Sequence, residues 1–512
     1  MTAFLTPRLR AAALMLPLAL AGAVQAQTAA AASGPALPQN AMQWRQAAIQ
    51  DIEEATRLTR DNHPGAVDPA NPAFLSRLDD ARRAGLQLAA QVSSVAGYAA
   101  ALERFNVKLG DGHAGMVPDV DDKLLPPDRW PGFVAVWRGQ GLYVFASVAG
   151  GPPASAEVTS CDGKPIRQVI TDNLFAFNGR IDEPGHWWAR ARRVFMDSGN
   201  PFIKLPARCR FALHGKPFEQ DLVWRANDDQ GRRWQEEGYN GPTLPVGLSE
   251  PRRGLLWAAL PTFQPDDRQR EAYRAMFKDI ETQRRRYLEA DAIVIDLRAN
   301  QGGSSLWSRD FASALWGKGR VERRMAVRSA KTQVWWRASK DNTAYLAQLA
   351  DQLGQQKQED AATWARRIHA GMQAALARGE AFYVEQDNPS PPAAAGDPDR
   401  DLAGDPPPFT RPVYVIVPGQ CASACLDALD VFTRFANTTL IGAPSSADST
   451  YMEVRYQKTG SGLATVIIPN KVYVNRARGN GEVYLPAIEV RDPVWSVETF
   501  LKVVEADLAN RR

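Results

Sequence analysis

The sequence predicts an α/β protein. Its core is a mixed, largely parallel sheet, preceded by an N-terminal helical region and a β-rich region. Three observations carry this. Past residue 253, apolar strands alternate with amphipathic helices, which is the rhythm of a parallel sheet. Ala292-Ile293-Val294-Ile295-Asp296-Leu297 and Pro412-Val413-Tyr414-Val415-Ile416-Val417 are nearly continuous apolar runs, as strands covered on both faces must be. Ahead of them, residues 42–60 and 74–108 keep helical spacing, whereas 130–225 reads as strands broken at Gly turns.

The 512 residues suggest roughly three domains. A formal net charge of +4 argues against a protein built around nucleic acid. Four Cys exclude a disulfide-rich scaffold, and no Cys/His spacing matches a zinc site. No metal or organic cofactor is implied.

Taken in order, residues 1–26 read as a signal peptide. Arg8 and Arg10 give a positive start, 11–22 an apolar run, and Val24-Gln25-Ala26 small residues before a cut. The run is short of the ~20 residues that a membrane span needs. The expected location is therefore periplasmic or secreted, with no stable membrane insertion after cleavage and with disulfides permitted. Residues 27–40 are Ala/Pro-rich and read as a disordered linker. Residues 41–116 form the helical region: Trp44, Ala48, Ile52, Ala55 and Leu58 lie on one stripe, and Phe74, Leu75, Leu78, Leu86 and Leu88 continue the pattern. It closes at a loop with His113 between glycines. Residues 117–250 are the β-rich region, and 251–512 the α/β core. Within that core, 338–382 looks like a polar helical insertion and 387–409 a Pro-rich loop.

Three features could do chemistry. Ser423 sits where a buried strand turns into a helix, flanked by Ala422 and Ala424. There a hydroxyl either acts as a nucleophile at the positive end of the helix dipole or caps the helix. Gly302-Gly303 ends the buried strand at 292–297. Such a pair either aims backbone N–H groups at a developing oxyanion or simply satisfies a βα turn. His113 is one of five His, and a general base near neutral pH is most often His. Cys421 and Cys425 bracket Ser423, either as a demanding i,i+4 bridge or as two packed thiols. Cys161 and Cys209 make a plausible second pair.

Together these blocks resemble the carboxyl-terminal processing (tail-specific) serine peptidases. Leu109-Gly110-Asp111-Gly112-His113 is similar to that family's "L-x-D-x-H" block, and residues 293–303 to its "hhhDLRxNxGG" block. Cys421-Ala422-Ser423-Ala424 is similar to its nucleophile block. Ile441-Gly442, Asn62-His63-Pro64 and Glu482-Val483-Tyr484-Leu485-Pro486 also have counterparts. The Ser-Lys branch of the family carries its Lys some two dozen residues after the Ser. Here that stretch, 442–450, has none, and Lys458 and Lys471 fall outside the pattern. The chain is closer to the Ser-His branch of the tricorn core, although Gly112 stands where that branch has a supporting Ser.

The resemblance implies a ClpP/crotonase-like core and an exported endopeptidase acting on peptides or unfolded proteins. It implies Ser423 as nucleophile, His113 as general base, Glu482 as the group that orients the imidazole, and an oxyanion hole from Gly302 or Gly303 with Ala424. An inactive peptide-binding or scaffolding relative, or a hydrolase of another acyl substrate, fits the same residues. Asp162-Gly163-Lys164-Pro165-Ile166 is similar to a PDZ segment, and equally to an ordinary Asp-Gly turn in a β insertion.

Overall fold

The computed structural model describes residues 37–385 and 405–511. The expected signal peptide, most of the linker after it and most of the Pro-rich loop lie outside these residues. The first described helix, Ala41–Asn62, starts at Asn40, whose side chain accepts the Gln43 N–H. It buries Trp44, Ala48, Ile52, Ala55 and Leu58, the stripe read from spacing. Helices Phe74–Ala89 and Val95–Leu109 pack against it, with Phe74 and Leu78 inside and Leu75 at the surface.

The core sheet has six strands, in the order Gly247–Arg252, Leu255–Ala259, Ala292–Asp296, Val413–Val417, Thr438–Gly442 and Ile488–Glu489. The first pair is antiparallel and the rest are parallel. Every residue of the strands Ala292–Asp296 and Val413–Val417 is buried. This is why they lack polar alternation: helices cover one face and the β-rich region, with the C-terminal helix, covers the other.

The β-rich region is a separate antiparallel sheet, running Phe133–Arg138, Gly141–Ser147, Glu157–Cys161, Arg208–Leu213 and Lys216–Asp221. Cys161 and Cys209 face each other across two of its strands and are bridged.

A third sheet was not legible from local pattern. Strand Gly115–Pro118, directly after His113, pairs with Ala464–Val474, which also pairs with Tyr451–Lys458 and Gln333–Arg337. The N-terminal region is thereby stitched to the end of the core, and the His113 loop is fixed beside residues 445–451. The insertion at 338–382 is a helical hairpin, Lys340–Gln355 and Glu359–Ala377, set between two strands of this sheet.

Candidate active site

Residues 293–303 explain themselves one by one. Asp296 and Arg298 form a buried ion pair at 2.8 Å, and Trp257 Nε1 donates to the same carboxylate. Asn300 spans the turn: its Nδ2 donates to Leu260 O, and its Oδ1 accepts the Gly302 N–H at 2.9 Å. Gly302 has φ +104°. A Cβ there would lie 2.9 Å from Ala422 O and 3.0 Å from Ser423 Cβ, so only Gly allows this turn to touch the nucleophile turn.

That hydrogen bond corrects one expectation. The Gly302 N–H is engaged by Asn300, so it is not an available oxyanion donor. Gly303 differs. Its parallel bridge to Phe263 uses Gly302 O and the Ser304 N–H, which turns the Gly303 N–H away from that pairing. Ala424 opens its helix, where N–H groups lack intrahelical acceptors.

Ser423 is buried, with φ 56° and ψ −128°, a region that non-glycine residues occupy only when their surroundings force it. Its side chain caps nothing, which removes the helix-cap alternative. Its N–H donates to Asp448 Oδ1 at 2.9 Å. Cys421 and Cys425 are bridged across the turn, with Cα atoms 5.3 Å apart. The Asp448 carboxylate is held in turn by Arg478, 1% exposed, which also pairs with Asp427 and Asp430 on the helix Ala424–Phe432 that follows Ser423.

His113 is 3% exposed. Its backbone N–H donates to Asp111 Oδ1 at 2.8 Å, and its Nδ1 lies 3.4 Å from Ser449 Oγ. Ser449 Oγ in turn donates to Asp111 Oδ1 at 2.9 Å. On the far side, Asp111 Oδ2 is 3.3 Å from Nε2 of the fully buried His63, whose Nδ1 accepts the Gly65 N–H. Burial works to raise the Asp111 carboxyl. The contact with His63 and the nearby imidazoles outweigh it and hold the group below the ordinary carboxylate range. Burial pushes His63 the other way, towards its neutral form. The remaining His113 nitrogen, Nε2, is buried with no hydrogen-bond partner among the described residues.

The structure brings Ser423 and His113 to one place: adjacent residues Asp448 and Ser449 hold the two. No hydrogen bond joins them directly among the described residues. Glu482 is not brought in. It is exposed, and its Oε2 accepts the Gly479 N–H in a local turn. Lys458 pairs with Asp119 at the surface, and Lys471 with Glu453 beneath Trp336. Sequence reasoning named Asp111 and His63 only within family-like blocks, without a role, and missed Ser449, Asp448 and Arg478. The signal for Asp111 was its place two residues before His113. Ser449 and Asp448 lay in the very stretch scanned for a Lys.

Residues 258–479 match the family model described as peptidase family S41. No curated protein matches the chain. Among solved structures, mature CPAF complexed with lactacystin superposes with a TM-score of 0.57 at 14% identity, covering 92% of this chain and 100% of that one. Mature CPAF alone gives 0.57 at 14%, over 91% and 98%. The tricorn protease, at a TM-score of 0.36, 11% identity and coverage of 91% and 37%, is too distant to bear on the chemistry. The CPAF likeness shows a shared fold. The family match spans the strand Ala292–Asp296, the Gly302 turn and Ser423, and it supports a serine-type peptidase.

Proposed function

We propose that the protein is an exported endopeptidase of peptides or unfolded proteins, working through a Ser423 acyl-enzyme with His113 as general base. The observation that carries this reading is the buried His113 Nε2 left without a partner, on a ring that meets Ser449, while the adjacent Asp448 holds a serine with φ 56°. An orphaned buried acceptor is costly unless a ligand or a reacting proton meets it. Ser423 Oγ attacks the scissile carbonyl while His113 Nε2 takes its proton. The Gly303 and Ala424 N–H groups receive the oxyanion, and His113 passes the proton to the leaving amine. Water then enters by the same route and releases the acyl group. This is the chemistry of the Ser-His branch. Export is supported by residues 1–26 and by two disulfides, which suit an oxidising compartment.

The test is cleavage of a denatured protein mixture, with new termini mapped by mass spectrometry. Ser423→Ala and His113→Ala should each lower the rate by at least about 10³-fold. Undiminished cleavage in Ser423→Ala sinks the reading.

A further inference from the structure

We infer that Ser449 and Asp111 are the positioning residues for the general base, in the role that resemblance assigned to Glu482. This rests on the proposed Ser423–His113 chemistry. The hydrogen bonds leave little choice of orientation. Ser449 Oγ has one proton. Its shortest acceptor is Asp111 Oδ1 at 2.9 Å, an ionised group, against 3.3 Å to Tyr451 O. With that proton committed to Asp111, Ser449 can only accept from His113, so the hydrogen of His113 sits on Nδ1. The lone pair is then on Nε2, the nitrogen with no partner, as a base must have it.

Asp111 is itself fixed. It receives the Ser449 hydroxyl and the His113 backbone N–H on one oxygen and faces His63 with the other. His63 accepts the Gly65 N–H at Nδ1, so its own proton is on Nε2, towards Asp111. Asp111 and Ser449 thus set the tautomer of His113, with His63 3.3 Å behind the Asp111 carboxylate. At 3.4 Å the Ser449–His113 link is long for a hydrogen bond. It shortens when an imidazolium forms, because a charged donor binds more tightly. The arrangement therefore favours the transition state over the resting enzyme.

Two measurements separate this from a merely structural role. The first is the histidine 15N spectrum of the Ser423→Ala protein, which reports tautomers without activity. His113 should be protonated at Nδ1, and adding Ser449→Ala should mix the two forms. A His113 protonated at Nε2 in the parent overturns the inference. The second is kinetics. Ser449→Ala and Asp111→Asn should each lower kcat at least about tenfold with KM little changed, and Ser449→Thr should restore part of it. The charged groups around His113 are Asp111, Arg180 and, on the 445–449 loop, Asp448; His63, behind Asp111, is titratable but is pushed towards its neutral form by burial. Asp111→Asn should move the acid limb of kcat/KM to lower pH, because an imidazolium that has lost a neighbouring carboxylate gives up its proton more readily. If Ser423→Ala and His113→Ala abolish cleavage while both relay variants keep wild-type kcat and pH profile, the relay fails and the peptidase reading stands. An effect confined to Glu482→Gln also overturns it. Undiminished cleavage in Ser423→Ala instead removes the reading beneath.

Discussion

At the scale of single residues, buried charged side chains hold the turn that carries Ser423. Arg478 is the clearest. It holds Asp427 at 2.8 Å, Asp430 at 3.1 Å and Asp448 at 3.2 Å, and through Asp448 it reaches the Ser423 N–H. Arg476 and Arg328 also pair with Asp427 and Asp430, so Asp448 loses most if Arg478 goes. Arg478→Met should cost about 3–5 kcal/mol in denaturant unfolding, the usual result of stranding buried carboxylates. Activity should fall with it. The same cluster sets an acid limit. Burial works to raise Asp427, but Arg476 and Arg478 outweigh it and keep its carboxyl below the ordinary value. Its stabilising contribution is then full above the unfolded carboxylate pKa of about 3.9 and disappears as pH falls through the lower folded value. Acid unfolding should set in below about pH 4, and Arg478→Met should move it upward; circular dichroism across pH reads both.

At the scale of elements, the helix Pro184–Arg190 of the β-rich region docks on the turns that carry the site. A Cβ on Gly185 would meet Ser445 O at 2.3 Å and Gly419 O at 2.6 Å. Neither is a side chain that could swing away. Around that contact, Glu183 accepts from Ser446 Oγ at 3.0 Å and from the Ala447 N–H at 3.1 Å, and His186 Nε2 lies 3.0 Å from the same hydroxyl. Although Ser446, His186 and Glu183 mimic a hydrolytic triad, His186 Nδ1 accepts the Arg180 N–H. The other nitrogen must then carry the proton and donate, so this ring is a clamp and not a base. Gly185→Ala should undock the helix. Limited proteolysis should then cut near 178–190 faster than in wild type, and kcat should drop while the Cys161–Cys209 sheet persists.

At the scale of the whole molecule, three regions meet at one guanidinium. Arg180, from the β-rich region, donates to Gly110 O beside the His113 loop at 3.3 Å and to Ala447 O of the core at 3.0 Å. It also pairs with Glu183. This strut ties the segment that carries His113 to the segment that carries Asp448 and Ser449. Arg180→Met should lower kcat by about 10²-fold, the cost of misplacing a catalytic group by an ångström, with a much smaller effect on melting temperature. Hydrogen exchange should quicken at 108–113. Unchanged kcat would mean that the third sheet alone sets the spacing.

Much of this was legible in the chain. The buried parallel strands, the helix stripes, Ser423 at a strand-to-helix turn and the close Gly302 turn follow from local rules, because burial on two faces and positive φ leave marks on neighbouring residues. The Cys421–Cys425 bridge lay within reach of spacing but could not be chosen over packed thiols by spacing alone. Glu482 shows the limit of pattern. It stands at the place a resemblance would assign, yet the backbone turns it outward to Gly479. Asp111 lies two residues from His113, but Ser449, the side chain at its Nδ1, comes from a loop more than 300 positions away, joined only when strand Gly115–Pro118 pairs with Ala464–Val474. Sequence determined which groups could react and on which elements they ride. Only the tertiary structure decided which of them meet, because hydrogen-bond partners are chosen by proximity in space, and no local periodicity records it.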